Sequence, residues 1–137
     1  MNTILSLHPQ RGASVVEMAL LLPIFLTVVF GIIDYGRFFF VRASVTAAVA
    51  DGARTAVLPA ATNEEVTRIV ENAVSDPIST GTGAQVAVSV APETRNPGDE
   101  VTVSASMPFT PLILPSYLGV QLFPNNISAS ATMTMEP

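Results

Sequence analysis

Glu17 is the first residue in the chain whose chemistry demands an explanation. It lies in an apolar run from Ala13 to Ile33, where it is the only charged residue, and Asp34 ends that run. A helix needs about 20 residues to cross the hydrocarbon core of a bilayer, so this run is long enough to span it. Because an ionisable side chain is costly to place in lipid, its presence there indicates a function.

The remaining residue types exclude most catalytic chemistry. The 137 residues include no cysteine, and the one histidine, His8, precedes the apolar run. Disulfides, thiol catalysis and cysteine-ligated metals are therefore excluded. No nucleophile stands in a recognisable pattern with a base, so we expect no enzymatic activity, no cofactor and no bound metal. The acidic pair Asp99-Glu100 is more typical of a solvated turn than of a metal site.

The charge distribution argues against a nucleic-acid partner. Beyond residue 58 the sequence holds eight acidic residues against two basic ones, Arg68 and Arg95. Proteins that bind nucleic acids neutralise phosphates with clustered positive charge. We therefore predict that the chain binds no nucleic acid.

Two interpretations of the apolar run differ in whether it stays in the protein. A cleavable secretory signal has an apolar region of about 7–15 residues, followed closely by a small-x-small site. Here the run is longer and the Ala-Val-Ala stretch at 48–50 lies well beyond it, which favours a permanent membrane anchor. Arg11 precedes the run while Arg37 and Arg42 follow it, so the flanking charges alone do not favour a cytoplasmic N-terminus.

A helical stem is predicted to continue beyond the span. From Asp34 to about Val57, apolar and small residues recur at three- and four-residue intervals, and Pro59 ends the pattern. A second, short helix is predicted to follow, with Thr62 or Asn63 as its N-cap. The apolar stripe of the stem comprises Val41, Val45, Ala48 and Gly52, and the inner face of the short helix comprises Val66, Ile69, Val70 and Val74.

The last part of the chain alternates between apolar and polar residues, as strands do. Three such segments lie near 86–90, 101–107 and 127–135, with a turn at Pro97-Gly98 between the first two. The predicted fold is α+β and pilin-like: a long N-terminal transmembrane and stem helix, a short helix and a small antiparallel sheet. We divide the chain into a leader (1–12), a transmembrane helix (13–33), a helical stem (34–58) and a small extracytoplasmic α+β domain (59–137).

A proline-punctuated apolar segment from Pro108 to Pro124 does not fit a regular central strand. One interpretation is an ordered loop that closes the core of the small domain. The other is an exposed docking patch, because a contiguous apolar surface usually marks an interaction site. The residues of this patch are Leu112, Ile113, Leu114, Tyr117, Leu118 and Phe123.

The residues around Glu17 form a pattern with a defined spacing. The leader ends in Gly12, the small residue Ala13 follows, and Glu17 is the fifth residue counted from Ala13. This arrangement resembles the type IV prepilin signal, in which a peptidase cuts directly after the glycine. Glycine suits that position because, without a side chain, its backbone is easily drawn into an extended conformation.

The resemblance extends along the first 57 residues to the TadE-like pseudopilins of tight-adherence (Tad, or Flp) pilus systems. That family has a Val-Glu-x-Ala pattern, a leucine-rich stretch with proline, an Asp-x-Gly-Arg motif at the membrane exit and a later Gly-Ala-Arg. Met18 stands where Flp-type motifs commonly have tyrosine, which argues against a major pilin. The matching family positions are Arg11, Gly12, Glu17, Pro23, Asp34, Gly36, Arg37, Gly52 and Arg54.

The resemblance implies a minor pilin or pseudopilin, cut between Gly12 and Ala13 by a prepilin peptidase. It implies an inner-membrane protein with a cytoplasmic N-terminus, whose partners are membrane lipid, other pilins contacted through the N-terminal helix, and the assembly platform. It also implies that Glu17 pairs with the N-terminal amine of a neighbouring subunit. Alternatively, Glu17 lies at headgroup level and reaches water. The competing hypotheses for the whole protein are an uncleaved periplasmic adaptor and, more remotely, a secreted enzyme with an uncleaved anchor.

Overall fold

A computed structural model describes residues 10–75, 85–113 and 123–136, with side chains from residue 12 onward. The first element is a single helix, α1, which runs from Gln10 to Ala56 without a break. Pro23 lies inside it, and the hydroxyl of Thr27 donates to the Pro23 carbonyl at 2.8 Å. The span and the stem predicted from the sequence are therefore one continuous helix.

The second helix, α2, runs from Asn63 to Val74 and is capped as its sequence predicts. The Thr62 side chain accepts a hydrogen bond from the backbone N–H of Glu65 at 3.2 Å. This bond satisfies one of the N–H groups that have no partner inside the first turn. The buried residues of α2 are Val66, Val70 and Val74, while Ile69 is half-buried.

The described strands form a three-stranded antiparallel sheet in the order β1-β2-β3. Strand β1 is Ala87–Ala91, β2 is Glu100–Pro108 and β3 is Asn126–Thr134. The register pairs Val90 with Val103 and Val103 with Ala131 across the sheet. The Ala91-Pro92 peptide bond is cis, and Gly98 takes a φ of 93° in the turn before β2, where glycine meets no steric penalty.

One face of the sheet packs on the helices and the other is polar. Helix α1 contacts β2 and β3, and α2 packs against α1 and β1. The opposite face carries mainly serine and threonine, and the hydroxyls of Thr102 and Thr132 lie 2.9 Å apart. The core consists mainly of valine and alanine side chains from both helices and the sheet, with a few larger ones: Phe38, Val41, Val45, Ala48, Val49, Ala53, Ala56, Val66, Val70, Val74, Val101, Val103, Ala105, Met107, Phe109 and Ile127.

This architecture confirms the predicted α+β class and the whole predicted stem stripe. Val41, Val45 and Ala48 are buried, and Gly52 is buried where α1 crosses α2. A Cβ atom added at Gly52 would lie 2.6 Å from Cγ2 of Val70. That separation is well inside normal carbon–carbon contact, about 3.5–4.0 Å. The glycine therefore sets how closely the two helices approach.

Candidate functional site

The N-terminal part of α1 has the surface of a membrane span. A segment of mean hydropathy 2.5 lies within this helix, and none of it is buried inside the protein. A soluble protein rarely exposes an apolar surface of this extent. The exposed large side chains include Val15, Val16, Met18, Leu20, Leu21, Leu22, Ile24, Phe25, Val28, Ile32 and Ile33. The helix thus anchors the protein in a membrane.

The predicted processing residues lie at the start of this exposed helix. Arg11, Gly12 and Ala13 fall in the first turns of α1, and Glu17 follows one turn after Ala13. Glu17 is exposed, and a Cβ added at Gly12 would meet no atom within 4 Å. Among the described residues, none covers the Gly12–Ala13 bond or the Glu17 carboxylate.

Asp34 marks the point where α1 leaves the exposed segment and enters the core. Its side chain is 0% exposed, although it is a carboxylate. Oδ1 accepts the backbone N–H of Leu112 at 3.0 Å, and Oδ2 accepts the backbone N–H of Ile113 at 3.2 Å. A buried charge is tolerated only when it is hydrogen-bonded, and these donors meet that need.

Arg37 holds the same loop one turn further along α1. Its Nη1 donates to the carbonyl oxygen of Thr110 at 2.8 Å, and its guanidinium lies 5.1 Å from the ring centroid of Phe109. Asp34 thus binds backbone N–H groups of the loop, and Arg37 binds a carbonyl. We call Asp34 and Arg37 the exit clamp, because together they hold loop residues 110–113 on α1.

Five aromatic rings surround the exit clamp. Phe38 makes an edge-to-face contact with Phe109 at 5.3 Å between centroids, and Tyr35 makes one with Phe39 at 4.8 Å. Phe123 lies 5.8 Å from Phe38 and 6.0 Å from Tyr35. Such aromatic pairs contribute about 0.5–1.5 kcal/mol each beyond their burial. Both described ends of the 108–124 segment are therefore fixed on α1 between residues 34 and 39.

The other motif residues differ in their surroundings. Gly36 is exposed and has open space around it, whereas Gly52 is in the core. Arg54 pairs with Asp51 at 2.9 Å, and both side chains are largely exposed. An exposed pair of this kind stabilises a protein by about 0–1 kcal/mol.

The residues of the proposed docking patch do not share one environment. Leu112 is 69% exposed, Ile113 is half-buried, and Phe123 is half-buried in the aromatic cluster. Leu114, Tyr117 and Leu118 lie outside the described residues. In the part that the structure describes, the loop both contributes Phe109 to the core and exposes Leu112.

Sequence reasoning missed the contact that Asp34 makes with the loop and the role of Arg95. Arg95 donates from Nη1 to the carbonyl oxygen of Ala56, at the end of α1, and from Nη2 to Oδ1 of Asn63, at the start of α2. The sequence did contain one indication of the Asp34 contact. A proline-rich loop that is no regular strand has backbone N–H groups that need acceptors elsewhere in the protein. For Arg95 the sequence offered no comparable signal.

The acidic side chains of the described residues do not gather into a metal site. Within 10–75, 85–113 and 123–136, no three such side chains gather into a cluster able to hold a metal ion. Asp99 instead accepts hydrogen bonds from the backbone and side-chain nitrogens of Asn96 at 2.9 and 3.2 Å. It therefore organises the turn before β2.

The segment that carries the exposed helix and the exit-clamp residues of α1 matches a known family. Residues 12–54 match the family model described as TadE-like protein. This segment is TadE-like. The match confirms the resemblance seen in this part of the sequence. It begins at Gly12, ends at Arg54 and lies entirely within α1.

The outer part of the fold lies beyond the TadE-like segment. Helix α2, the sheet and the loop held by the exit clamp all follow residue 54. No curated protein and no solved structure gives a significant match to the chain. What the outer domain does must therefore be argued from its own contacts.

Proposed function

We propose that this membrane-anchored protein is a minor pilin or pseudopilin that takes part in Tad (Flp) pilus assembly. The observation that supports this best is the TadE-like segment itself, whose first half has an apolar surface that the described part of the outer domain does not cover. Pilin-type subunits need such a helix twice, first in the membrane and then against neighbouring subunits. The folded outer domain leaves it available for both.

Processing by a prepilin peptidase would separate Gly12 from Ala13. This bond lies in the first turn of α1, where backbone N–H groups have no intrahelical partner. Glycine is also less favourable than alanine inside a helix, by about 1 kcal/mol. Unwinding this end of α1 therefore costs little, which suits a protease that binds its substrate in an extended conformation.

Cleavage would also create a partner for Glu17. The new amine at Ala13 would lie four residues away along α1, about 6 Å in helical rise. We propose that Glu17 pairs with this amine on a neighbouring subunit, which would neutralise both charges in an apolar environment. Breaking a buried pair by removing one partner costs about 3–5 kcal/mol, so the carboxylate would govern entry into the assembly.

We further propose that the protein lies in the inner (cytoplasmic) membrane. Its N-terminus would face the cytoplasm, so that the leader lies where a prepilin peptidase acts. Residues 59–137 would then be extracytoplasmic. The partners would be the peptidase, other pilins or pseudopilins along the exposed face of α1, and the assembly platform. The protein would remain at the platform or enter the filament after processing.

Intact mass and N-terminal sequencing of protein from the native membrane test the processing step. The expected result is a mature chain that begins at Ala13 in cells with the peptidase, and a chain that retains the leader in cells without it. A control variant, Gly36→Ala, changes a glycine of the same helix outside the leader and should be processed normally. A chain that always begins at Met1 would contradict processing and favour the uncleaved adaptor.

Pilus counts with Glu17→Ala test the proposed pairing. The variant should still be cleaved, yet assemble far fewer pili. Glu64→Ala is a matched control, because Glu64 is an exposed acidic residue of α2 outside the TadE-like segment. If Glu17→Ala is cleaved and assembles pili at the normal level, Glu17 does not pair with a subunit amine.

A further inference from the structure

The loop held by the exit clamp descends along α1 toward the apolar span. Phe109 contacts the ring of Phe38, Thr110 accepts from Arg37, and the N–H groups of residues 112 and 113 bind Asp34. As the loop runs from residue 109 to residues 112 and 113, its partners in α1 thus move from residue 38 back to residue 34. Over the four helical residues from 38 to 34 the descent is about 6 Å.

The end of this descent coincides with the end of the span. Asp34 is the first charged residue after the apolar run, and the large side chains directly before it, Ile32 and Ile33, are exposed. Leu112 is bound to Asp34 through its backbone, and its side chain is 69% exposed. An exposed leucine is thus held where the helix leaves the hydrocarbon.

Charge around the exit clamp also favours a lipid surface. Asp34 is buried, and the next charged residues along α1 are Arg37 and Arg42. In sequence, no charged residue occurs between Val101 and Met135, a stretch that includes the whole loop. The acidic residues beyond position 58 therefore lie outside this stretch. The loop thus presents no acidic side chain that would repel the phosphate of a lipid headgroup.

We propose that the exit clamp holds Leu112 and Ile113 in the lipid headgroup region, as a second membrane contact beside α1. This contact would reach about 5–10 Å into the boundary between headgroups and acyl chains, as apolar side chains of interfacial segments do. It would seat the outer domain on the bilayer and restrict its tilt. The proposal depends on the membrane anchor and not on processing or filament entry.

The absence of cysteine from the sequence makes single-site labelling direct. The full chain, with one cysteine introduced and labelled with the fluorophore NBD, is placed in nanodiscs at one molecule per disc. Lipids that carry a nitroxide at the headgroup quench labels at that depth, and lipids that carry it on the acyl chain quench labels inside the span, such as one at position 28. The test position is Leu112→Cys. Val28→Cys, 57% exposed in the span, is the positive control, and Leu58→Cys, 56% exposed just after α1, is the negative control.

The proposal expects nitroxide quenching and a blue-shifted emission at positions 112 and 28, with neither effect at 58. Ala56, at the end of α1, lies about 33 Å above Asp34 in helical rise, and position 58 follows it. A label at 112 that behaves like the label at 58 would overturn the second contact while leaving the anchor intact. A blue shift at 112 without nitroxide quenching would also overturn it, because a protein surface would then cover the loop. No quenching at 28 would overturn the anchor as well.

The contribution of the clamp is tested by adding Asp34→Ala to the Leu112→Cys chain and, separately, to the Val28→Cys chain. Loss of the carboxylate releases two backbone N–H groups, so quenching at 112 should fall while quenching at 28 stays unchanged. Asp51→Ala is the matched control, because Asp51 lies on the same helix and its side chain pairs with the exposed Arg54, away from the loop. Unchanged quenching at 112 in Asp34→Ala would show that the clamp does not position the loop.

Discussion

Replacing Gly52 with alanine should destabilise the outer domain, although alanine is the better helix former. An alanine Cβ would lie 2.6 Å from Cγ2 of Val70, so the atoms must separate by about 1 Å to reach normal contact. Val70 is fully buried and β-branched, which leaves it little freedom to turn away. Overpacking of this kind costs about 1–3 kcal/mol, against a gain of about 1 kcal/mol from helix propensity.

The control Gly36→Ala separates these two effects. Gly36 lies in the same helix with open space around it, so alanine there gains the propensity and meets no clash. The difference in unfolding free energy between the two variants should therefore be about 1–3 kcal/mol, the packing cost alone. For a domain of this size, 1 kcal/mol shifts the Tm by about 4–8 °C.

Thermal unfolding of the detergent-solubilised full chain, followed by protease susceptibility of the outer domain, measures this difference. Val70→Ala should partly rescue Gly52→Ala, because it removes the methyl group that the new Cβ meets, and a double-mutant cycle gives the coupling. Equal Tm values for Gly52→Ala and Gly36→Ala would refute the close approach of α1 and α2. A double variant whose loss of unfolding free energy equals the sum of the two single losses would refute this close approach as well.

Three further substitutions follow from the contacts of the outer domain, each measured by the same thermal assay. Thr62→Ala removes the N-cap of α2 and should cost about 1 kcal/mol, whereas Thr62→Ser should retain most of it; equal losses would contradict the cap. Arg95→Lys keeps the charge but cannot bind the Ala56 carbonyl and the Asn63 side chain with one planar group. It should cost about 1 kcal/mol, and an unchanged Tm would contradict this link. Asp51→Ala breaks only an exposed pair and should change stability by less than about 0.5 kcal/mol; a larger loss would show that the pair matters.

Periodicity made the outline of the fold predictable. The spacing of Val41, Val45 and Ala48 identified the buried side of the stem, because only one face of a helix can reach a core. Alternation did the same for β2, where Val101 and Val103 are buried as expected. Helix α1 ends at Ala56, within one residue of the position expected from Pro59. These elements share one property, which is that their pattern is local in sequence.

The exit clamp was not predictable because its partners are distant in sequence. Asp34 and Leu112 are separated by 78 residues, and Arg37 and Thr110 by 73. The partners in the loop are backbone groups, which every residue type supplies, so side-chain identities do not reveal the pairing. Asp34 was expected only to end the span, whereas in the structure it also binds the loop. Arg95 escaped notice for the same reason, since one of its acceptors is the Ala56 carbonyl.

Because α1 continues without a break from the span into the core, it fixes the rotation of the outer domain about the helix axis relative to the span. Each residue of an α-helix turns the chain by about 100°, so the azimuth of the outer domain is determined by the azimuth of the span. A neighbouring subunit that binds one side of the span in the membrane would therefore also determine the direction in which the Ser- and Thr-rich face of the sheet points outside the membrane. One residue inserted between the span and Asp34 would raise the domain by only about 1.5 Å, yet turn that face by more than a quarter of a circle.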